Sequence, residues 1–311
     1  MRHFLSVDDV TGDELLALLD RADELKAERA ARHRAGSSLV GDQLQGRSVA
    51  LVFEKPSLRT RASFEVGVHE LGGKALPMWD GEVGLGRREA VADVGAVLGR
   101  YVHAIVIRTF GQDDLEELAA AAGVPVVNAL TDHEHPCQAL ADLQTVREHH
   151  GELAGRTLTY VGDGNNVAHS LLLAGAKVGL SVRIAHPEGY APDPDVVAAA
   201  QRHAGASGAE VVVTTDPRAA VDGADAVYTD VWASMGQESE AAERAAKFAD
   251  FQVTPQLMAH AADGAVFLHC LPAHRGEEVA AEVMASPAAR VFDQAENRLH
   301  AQKALLATLL G

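Results

Sequence analysis

The sequence predicts an α/β protein made of two doubly wound parallel-sheet domains, with the active site in the cleft between them. The chain has 311 residues, about twice the usual size of one domain. Short runs of apolar, β-branched residues alternate with helix-forming stretches, which is the pattern of parallel strands covered by helices. Polar residues follow most of these runs, and in such sheets ligands bind beyond the carboxyl ends of the strands.

The first half begins with a predicted helix over residues 11–34. Thr11 and Glu14 form a capping-box pattern, and five leucines, Leu15, Leu16, Leu18, Leu19 and Leu25, supply an apolar face. Residues 48–54 predict a buried strand, after which a helix follows Pro56 and ends at a glycine pair. The next predicted elements are a strand over 104–110, a helix over 113–122 and a strand over 124–130.

A helix over residues 137–149 precedes a second alternation of strands and helices. The predicted strands cover residues 157–163, 181–187, 210–216, 226–232 and 265–272, with a helix at 167–178 after the first of them. Residues 290–296 predict a last short strand, and residues 298–310 a closing amphipathic helix. We therefore expect domains at residues 1–135 and 136–296.

The charge balance excludes several classes of function. Lys and Arg number 27 against 44 Asp and Glu, a formal net charge of -17, so no basic surface for nucleic acid or anionic membrane is expected. Two cysteines exclude a disulfide framework, and the opening residues lack the apolar core of a signal peptide. The expected location is cytoplasmic, and an anionic substrate would need a local cluster of cations.

The segment FEKPSLRTR carries the first candidate site. Ser57, Arg59 and Thr60 fall where a strand gives way to a helix, and free N–H groups at a helix start suit a phosphate. Arg108, at the end of the next clear strand, supplies a second cation. Taken alone, the first three residues slightly favour an ordinary helix cap, and Arg108 favours a structural ion pair. A P-loop is excluded because its glycine-rich run and Gly-Lys-Ser/Thr ending are absent.

Two histidine and cysteine segments offer other chemistry. His133, His135 and Cys137 alternate in DHEHPCQ, but this spacing is not that of a closed zinc site, and no metal is predicted. His135, before a proline, fits either a group that polarises a carbonyl or a structural histidine. Cys270, in HCLPAHRGEE, is by default an inert thiol, and a covalent nucleophile is the alternative.

The segment YVGDGNN only partly matches a dinucleotide fingerprint. Val167 stands where the third glycine should be, and the next strand ends at His186 without an acidic residue. An NAD-dependent dehydrogenase is therefore disfavoured, and no cofactor is predicted. Asn165 and Asn166 fit either a small polar ligand or a simple turn.

The segment DVWASMG follows a later strand. Asp230 is placed to pair with an ammonium group, while Ser234 and Met235 would shape a pocket around an aliphatic stem. A loop with a capping Asp and a buried Met is the alternative.

Together these segments resemble the motifs of the aspartate/ornithine carbamoyltransferase family, most closely its ornithine branch. SLRTR, HPCQ, DVWASMGQE, HCLPAHRGEE and FDQAENRLHAQKALL match in order along essentially the whole chain. The resemblance implies transfer of the carbamoyl group of carbamoyl phosphate to the δ-amine of L-ornithine, giving L-citrulline and phosphate in arginine biosynthesis. It also implies a homotrimer or a multiple of trimers, and a C-terminal helix, 297–311, that packs back on the first domain.

The resemblance assigns roles to individual residues. Carbamoyl phosphate would be bound by Ser57, Leu58, Arg59, Thr60, Arg108, His135, Gln138, Cys270, Leu271 and Arg298. Ornithine would be bound by Asn166, Asp230, Ser234 and Met235. The implied catalytic residues are Arg59, Arg108, His135 and Cys270.

Two positions depart from the family pattern. Leu58 stands where the family has a threonine, and Gly84 where it commonly has a glutamine that reaches a neighbouring subunit. We hypothesise that Arg87 or Arg88 compensates across the subunit interface, the alternative being surface cations paired with nearby acids. The rival functions are a carbamoyltransferase for another amine, such as lysine or putrescine, and a non-catalytic amino-acid-binding module on the same fold.

Overall fold

A computed structural model describes residues 2–233 and 240–311 of the chain. Its strands are β1 (Ser48–Phe53), β2 (Lys74–Trp79), β3 (Ala104–Arg108), β4 (Val126–Leu130), β5 (Thr157–Val161), β6 (Ser181–Ala185), β7 (Val211–Thr214), β8 (Ala226–Thr229) and β9 (Val266–His269). Its helices are α1 (Gly12–Arg34), α2 (Arg59–Glu70), α3 (Asp80–Val83), α4 (Val91–Tyr101), α5 (Gln112–Ala122), α6 (Pro136–His150), α7 (Asn166–Lys177), α8 (Pro194–Ser207), α9 (Pro217–Val221), α10 (Ala241–Phe248), α11 (Pro255–Met258), α12 (Ala281–Met284) and α13 (Val291–Leu310).

The strands form two separate parallel sheets, which confirms the predicted fold class. One compact unit comprises Met1–Gln144 and Glu296–Gly311, and its sheet has the order β2-β1-β3-β4. The other comprises Thr145–Ala295, and its sheet has the order β7-β6-β5-β8-β9. Most of α13 belongs to the first unit, although the helix begins in the second.

Each sheet is buried against its own helices. In the first unit Ile105 and Ile107 of β3 pack with Leu115 and Leu118 of α5, all of them fully buried. In the second unit a comparable core joins residues of β8 and β9, such as Val227 and Phe267, to the helices beside them. Burial of each such side chain stabilises the fold by about 1.5–3 kcal/mol, so both sheets have substantial apolar cores.

The strand order reverses once in each sheet. In the first unit the reversal lies between β1 and β3, where Phe53 pairs in register with Arg108. In the second it lies between β5 and β8. Open α/β sheets bind ligands at the carboxyl ends of the strands beside such a reversal. Each unit is therefore expected to bind ligands at the residues that follow its own two strands, β1 and β3 in the first unit and β5 and β8 in the second.

The strand predicted at residues 290–296 is wrong, because these residues lie at the start of α13. Val291, Gln294, Asn297 and Arg298 are buried, and their spacing of three to four residues is that of one helix face. The neighbouring Phe292 is 70% exposed, so Val291 and Phe292 do not enter the core together.

Several elements were not predicted, among them β2 and α4. Strand β2 contains Pro77, which argues against a central strand but is tolerated here because β2 lies at the sheet edge. Helix α4 contains Gly95 and Gly99, poor helix formers whose presence has a packing reason. A side chain at Gly99 would lie 1.6 Å from the Ala122 carbonyl oxygen of α5, so the two helices can approach only because this residue is glycine.

Helix α1 agrees with its predicted cap but not with all of its predicted apolar face. The capping box of Thr11 and Glu14 forms as expected, but Leu16 is 36% exposed and does not belong to the buried face of α1. None of the helices in the described part of the chain has the length and apolar character needed to cross a bilayer.

Candidate active site

The start of α2 carries several hydrogen-bond donors and lies beside the strand-order reversal of the first sheet. Strand β1 ends at Phe53, and α2 begins at Arg59 with Leu58 at the N-cap and no capping side chain. The N–H groups of this first turn therefore lack partners within the helix. Thr60 is buried in this turn, whereas the Leu58 side chain is 71% exposed.

A buried arginine from the far end of the chain meets this turn. Arg298, on α13, donates from its Nη2 to the Thr60 Oγ1 at 2.6 Å. Arg298 is only 3% exposed. A guanidinium beside the start of a helix adds a full positive charge to the partial positive charge of the helix dipole. Together the two suit a phosphate dianion.

Arg108 and His135 extend the same cluster. Arg108 is the last residue of β3, His135 directly precedes α6, and both are buried. Burial lowers the pKa of His135 well below 6.5, and the charges of Arg298 and Arg108 lower it further. The imidazole is therefore neutral at pH 7, and a neutral imidazole can donate an N–H to a carbonyl oxygen.

Gln138 lies one turn into α6, on the same face as His135. Its Nε2 donates to the Asp142 Oδ1 at 2.7 Å, while its Oε1 is buried and accepts no hydrogen bond. Such an unpaired acceptor is costly in a protein interior, so it marks a place where a ligand N–H is expected.

Cys137, between these two residues, is not reactive. Its thiol is fully buried and donates to the Asn128 carbonyl oxygen at 3.3 Å. Burial raises the pKa of Cys137 to about 12, so the thiolate is not formed at neutral pH.

In the second unit Asp230 is the centre of a polar cluster after β8. Its Oδ2 accepts from the Asn165 Nδ2 at 3.0 Å, and its Oδ1 accepts from the Val231 N–H at 2.8 Å and the Cys270 Sγ at 3.0 Å. Asn165 also caps α7, of which Asn166 is the first residue. The Cys270 thiol is thus used as a hydrogen-bond donor to Asp230, which argues against Cys270 as a nucleophile.

A chain of three groups holds the backbone after β9. The Leu271 N–H donates to the His269 Nδ1 at 2.9 Å, and the His269 Nε2 lies 3.2 Å from the Glu278 Oε1. His269 and Glu278 are buried, and Leu271 has a φ of +60, a conformation that a leucine adopts only under constraint. The hydrogen bonds supply that constraint.

The ligand atoms of Asp230, His269 and Cys270 lie within 4.8 Å of one another, a distance compatible with a metal ion. Both ring nitrogens of His269 already have partners in the protein, however, and the Cys270 thiol donates to Asp230. The cluster is thus explained by its own hydrogen bonds.

Comparison with known proteins decides the family. The model of the aspartate/ornithine carbamoyltransferase carbamoyl-P binding domain matches residues 2–148, and that of the Asp/Orn binding domain matches residues 154–309.

The chain belongs to the aspartate/ornithine carbamoyltransferase family.

Individual carbamoyltransferases match it over nearly their whole length. An ornithine carbamoyltransferase of Parafrankia sp. (strain EAN1pec) is 57% identical over 99% of this chain and 96% of the relative. The solved structure of the ornithine carbamoyltransferase from Pyrococcus furiosus is 49% identical in sequence, covering 100% of this chain and 97% of the other, with a TM-score of 0.95. An acetylornithine transcarbamylase complexed with acetylcitrulline is also similar, at 35% identity over 100% of both chains and a TM-score of 0.86. The predicted family and the predicted class of enzyme, a carbamoyltransferase, are confirmed.

The residues predicted for this carbamoyltransferase fall in two groups. The first unit contains Ser57, Leu58, Arg59, Thr60, Arg108, His135, Gln138 and Arg298, of which Thr60 and Arg298 are in direct contact. The second contains Asn166, Asp230, Cys270 and Leu271, of which Asp230 and Cys270 are in direct contact. Ser234 and Met235 lie outside the described residues. The substrate that each residue binds stays a prediction.

Gly84, which stands where the family commonly has a glutamine, is explained by the local backbone. Gly84 has a φ of +57, and a Cβ there would lie 2.8 Å from the Arg88 Cβ, so a larger residue would force this turn to change. The Arg87 guanidinium contacts the Asp80 carboxylate and lies 3.8 Å from the Glu54 Oε1, while Arg88 donates to the Glu82 carbonyl oxygen. Arg87 thus has acidic neighbours that an anionic ligand would have to displace.

Sequence reasoning missed several residues that support the site. Asp142 lies four residues after Gln138 on α6, so helix spacing could have identified it. Arg244 donates to the Asp163 Oδ2 at 2.6 Å and to the Trp232 carbonyl oxygen at 2.9 Å, contacts between distant segments that no local pattern indicates. The pairing of Glu278 with His269 depends likewise on how β9 and the loop after it fold.

Proposed function

We propose that the chain transfers the carbamoyl group of carbamoyl phosphate to the δ-amine of L-ornithine, giving L-citrulline and phosphate. The observation that carries the proposal is the Arg298–Thr60 contact at the open start of α2, beside buried Arg108 and neutral His135. This cluster suits an acyl phosphate, and the amino-acid motifs are those of the ornithine branch. The relatives at 50–57% identity that carry the ornithine name favour it over the rival functions.

In the proposed reaction the first unit holds carbamoyl phosphate. The phosphate accepts from the N–H groups at the start of α2 and from Ser57, Arg59, Thr60 and Arg298, with Leu58 offering only its backbone N–H. Arg108 and His135 donate to the carbonyl oxygen, where negative charge develops in the transition state. Neutral His135 does so without gaining a proton, because its pKa is held low.

The second unit holds ornithine through Asp230, which accepts from an ammonium group, and through Asn166, Ser234 and Met235. Cys270 and Leu271 border the carbamoyl group and the attacking amine. The neutral δ-amine attacks the carbonyl carbon, a C–N bond forms, the C–O bond to phosphate breaks, and the departing phosphate takes the proton. Holding the two reactants in line supplies several kcal/mol of the acceleration, on the order of 7–11 in favourable systems.

The decisive experiment is an assay of the purified protein with carbamoyl phosphate and a panel of amines. Ornithine should give citrulline and phosphate in equal amounts, with a rate that rises from neutral to alkaline pH as the δ-amine loses its proton. Acetylornithine, lysine and putrescine should react at a much lower kcat/KM. Preference for any of these three would assign a different substrate, and binding without turnover would indicate an amino-acid-binding module.

The cellular role follows from the same assignment. We place the enzyme in arginine biosynthesis in the cytoplasm, supported by the acidic composition, the low cysteine content and the similarity to an anabolic ornithine carbamoyltransferase from Campylobacter jejuni, 37% identical with a TM-score of 0.92. Loss of the gene should create a requirement for arginine or citrulline, but not one that ornithine satisfies.

We further propose that the protein is a homotrimer or a multiple of trimers. Large apolar side chains of the first unit are exposed, among them Leu58, Trp79, Tyr101 and Phe110, and β2 is an edge strand of its sheet. Exposed apolar surface of this kind is typical of a protein interface. Sedimentation or light scattering should give three times the chain mass of 32.8 kDa, or a multiple of that value.

A further inference from the structure

We propose that Asp142 is a positioning residue that fixes the amide of Gln138 with its oxygen towards the substrate, so that the site selects an acyl phosphate bearing an N–H group. The inference rests on the proposed function and on the role in binding carbamoyl phosphate that the family resemblance implies for Gln138. Both side chains belong to α6 and are almost completely buried, Gln138 at 1% and Asp142 at 0% exposure.

The direction of the Gln138 amide follows from hydrogen-bond chemistry. An ionised carboxylate only accepts hydrogen bonds, so the group 2.7 Å from the Asp142 Oδ1 must be the amide nitrogen of Gln138. The amide oxygen then points away from Asp142, and this Oε1 is buried without a hydrogen-bond partner. With neutral His135 one turn earlier, the helix start would offer a donor for the carbonyl oxygen and an acceptor for the amide N–H of one carbamoyl group.

A fixed acceptor has a consequence for specificity. A ligand that presents an N–H satisfies the Gln138 oxygen, whereas a ligand that presents an oxygen at the same place meets repulsion and leaves both groups unpaired. If Asp142 did not hold the amide, Gln138 could turn over and donate its NH₂ group to such an oxygen. Asp142 would thus determine selectivity without touching the substrate.

Two stable inhibitors of nearly equal shape test the idea. Phosphonoacetamide presents an NH₂ group where carbamoyl phosphate does, and phosphonoacetate presents a carboxylate oxygen there. The ratio of their inhibition constants against carbamoyl phosphate is measured for the wild type, Asp142→Asn, Gln138→Met and the double variant. The wild type should favour phosphonoacetamide, although the cations nearby would attract the more negative phosphonoacetate. An asparagine at 142 accepts or donates, so it frees the Gln138 amide.

The expected result is that Asp142→Asn shifts the ratio towards phosphonoacetate by about tenfold or more, the effect of one buried hydrogen bond. In the Gln138→Met background the same change should shift it less than about twofold, because coupled residues are not additive. That background also removes the general effect of losing one negative charge. Equal shifts in both backgrounds, or a wild type that prefers phosphonoacetate, would overturn the proposal, and the wild-type measurement needs no variant to fold.

Asp23→Asn is a matched control. Gln144, also on α6, donates to the Asp23 Oδ1 at 2.8 Å, so this change alters the same kind of pair away from the site and should leave the ratio unchanged. Failure of the proposed function looks different. In that case the wild type forms no citrulline, or phosphonoacetamide does not compete with carbamoyl phosphate.

Discussion

At the scale of single residues, Arg298 has the most specific placement. It is buried, and its Nη2 binds the Thr60 hydroxyl at the start of α2. We expect Arg298→Met to lower kcat/KM for carbamoyl phosphate by about 10–100-fold, since a hydrogen bond to a charged group contributes about 1.5–3 kcal/mol. Steady-state kinetics with each substrate varied in turn measure this effect.

Arg29→Met is the control for Arg298. Arg29 is a partly exposed arginine of the same unit that pairs with Glu70 at 2.8 Å, away from the start of α2. Its replacement should change kcat/KM for carbamoyl phosphate less than about twofold, as expected for a distant ion pair. If both variants lose activity equally, Arg298 stabilises the fold and does not bind the phosphate.

Arg87 tests the compensation hypothesis. The residue is 66% exposed, and its guanidinium lies against Asp80 and Glu54, which an anionic ligand would have to displace. If it serves in place of the glutamine that the family commonly has at position 84, Arg87→Ala should raise the KM for carbamoyl phosphate about tenfold, while the KM for ornithine stays the same. An unchanged KM in both Arg87→Ala and Arg88→Ala would leave the two arginines as surface cations.

At the scale of elements, the loop after β9 depends on Glu278. This carboxylate accepts from the His274 N–H and from His269, which in turn accepts from the Leu271 N–H. Glu278→Ala leaves buried donors unpaired and should destabilise the protein by about 1–3 kcal/mol in urea unfolding. Glu278→Gln keeps an acceptor and should recover most of the stability. Equal losses in the two variants would show that the negative charge, and not the hydrogen bonds, is required.

Elements also show what the sequence could and could not predict. Strands buried on both faces, such as β3, are visible as continuous apolar runs, and the capping box of α1 is a local signal. Strand β2 and helix α4 were missed because Pro77 and Gly99 contradict local preferences that position in the sheet and helix packing override. The strand predicted at 290–296 failed because a short apolar pair cannot distinguish a strand from one turn of a helix.

Some residues of the site could be predicted from the sequence, and others could not. Residues at the ends of strands or directly after them, such as Arg108 and Asp230, could be predicted because the carboxyl ends of parallel strands meet at one edge of a sheet. The residues that orient them through hydrogen bonds could not be predicted. The contact of Arg298 with Thr60 joins residues far apart in sequence, and the position of Asn165 beside Asp230 depends on the order of β5 and β8.

At the scale of the whole molecule, the net charge of -17 and the anionic substrate are compatible because the cations are local. Arg108 and Arg298 come from separate elements of one unit, and both lower the pKa of His135. Their positive potential is therefore felt where the phosphate is proposed to bind. The remaining acidic surface does not oppose a cationic amino acid.

The buried histidines make the free energy of unfolding depend on pH. Burial lowers the pKa of His300 to about 4, and that of His135 also lies well below 6.5. Below pH 6.5 these histidines bind protons in the unfolded chain but remain neutral in the folded protein. The free energy of unfolding therefore falls as the pH falls from 6.5 towards 4. Burial raises the pKa of the Asp163 and Glu54 carboxyls, which oppose the trend at the acidic end.

His300→Gln isolates one of these contributions. Removing the ring should flatten the pH dependence of the unfolding free energy by roughly 1.4 kcal/mol per pH unit between 6.5 and 4, the value for one proton. Urea unfolding at several pH values measures the slope. His33→Gln, at an exposed position on α1, is the matched control for replacing a histidine by a glutamine. Equal slopes in all three proteins would mean that His300 takes up its proton in the folded protein as readily as in the unfolded chain.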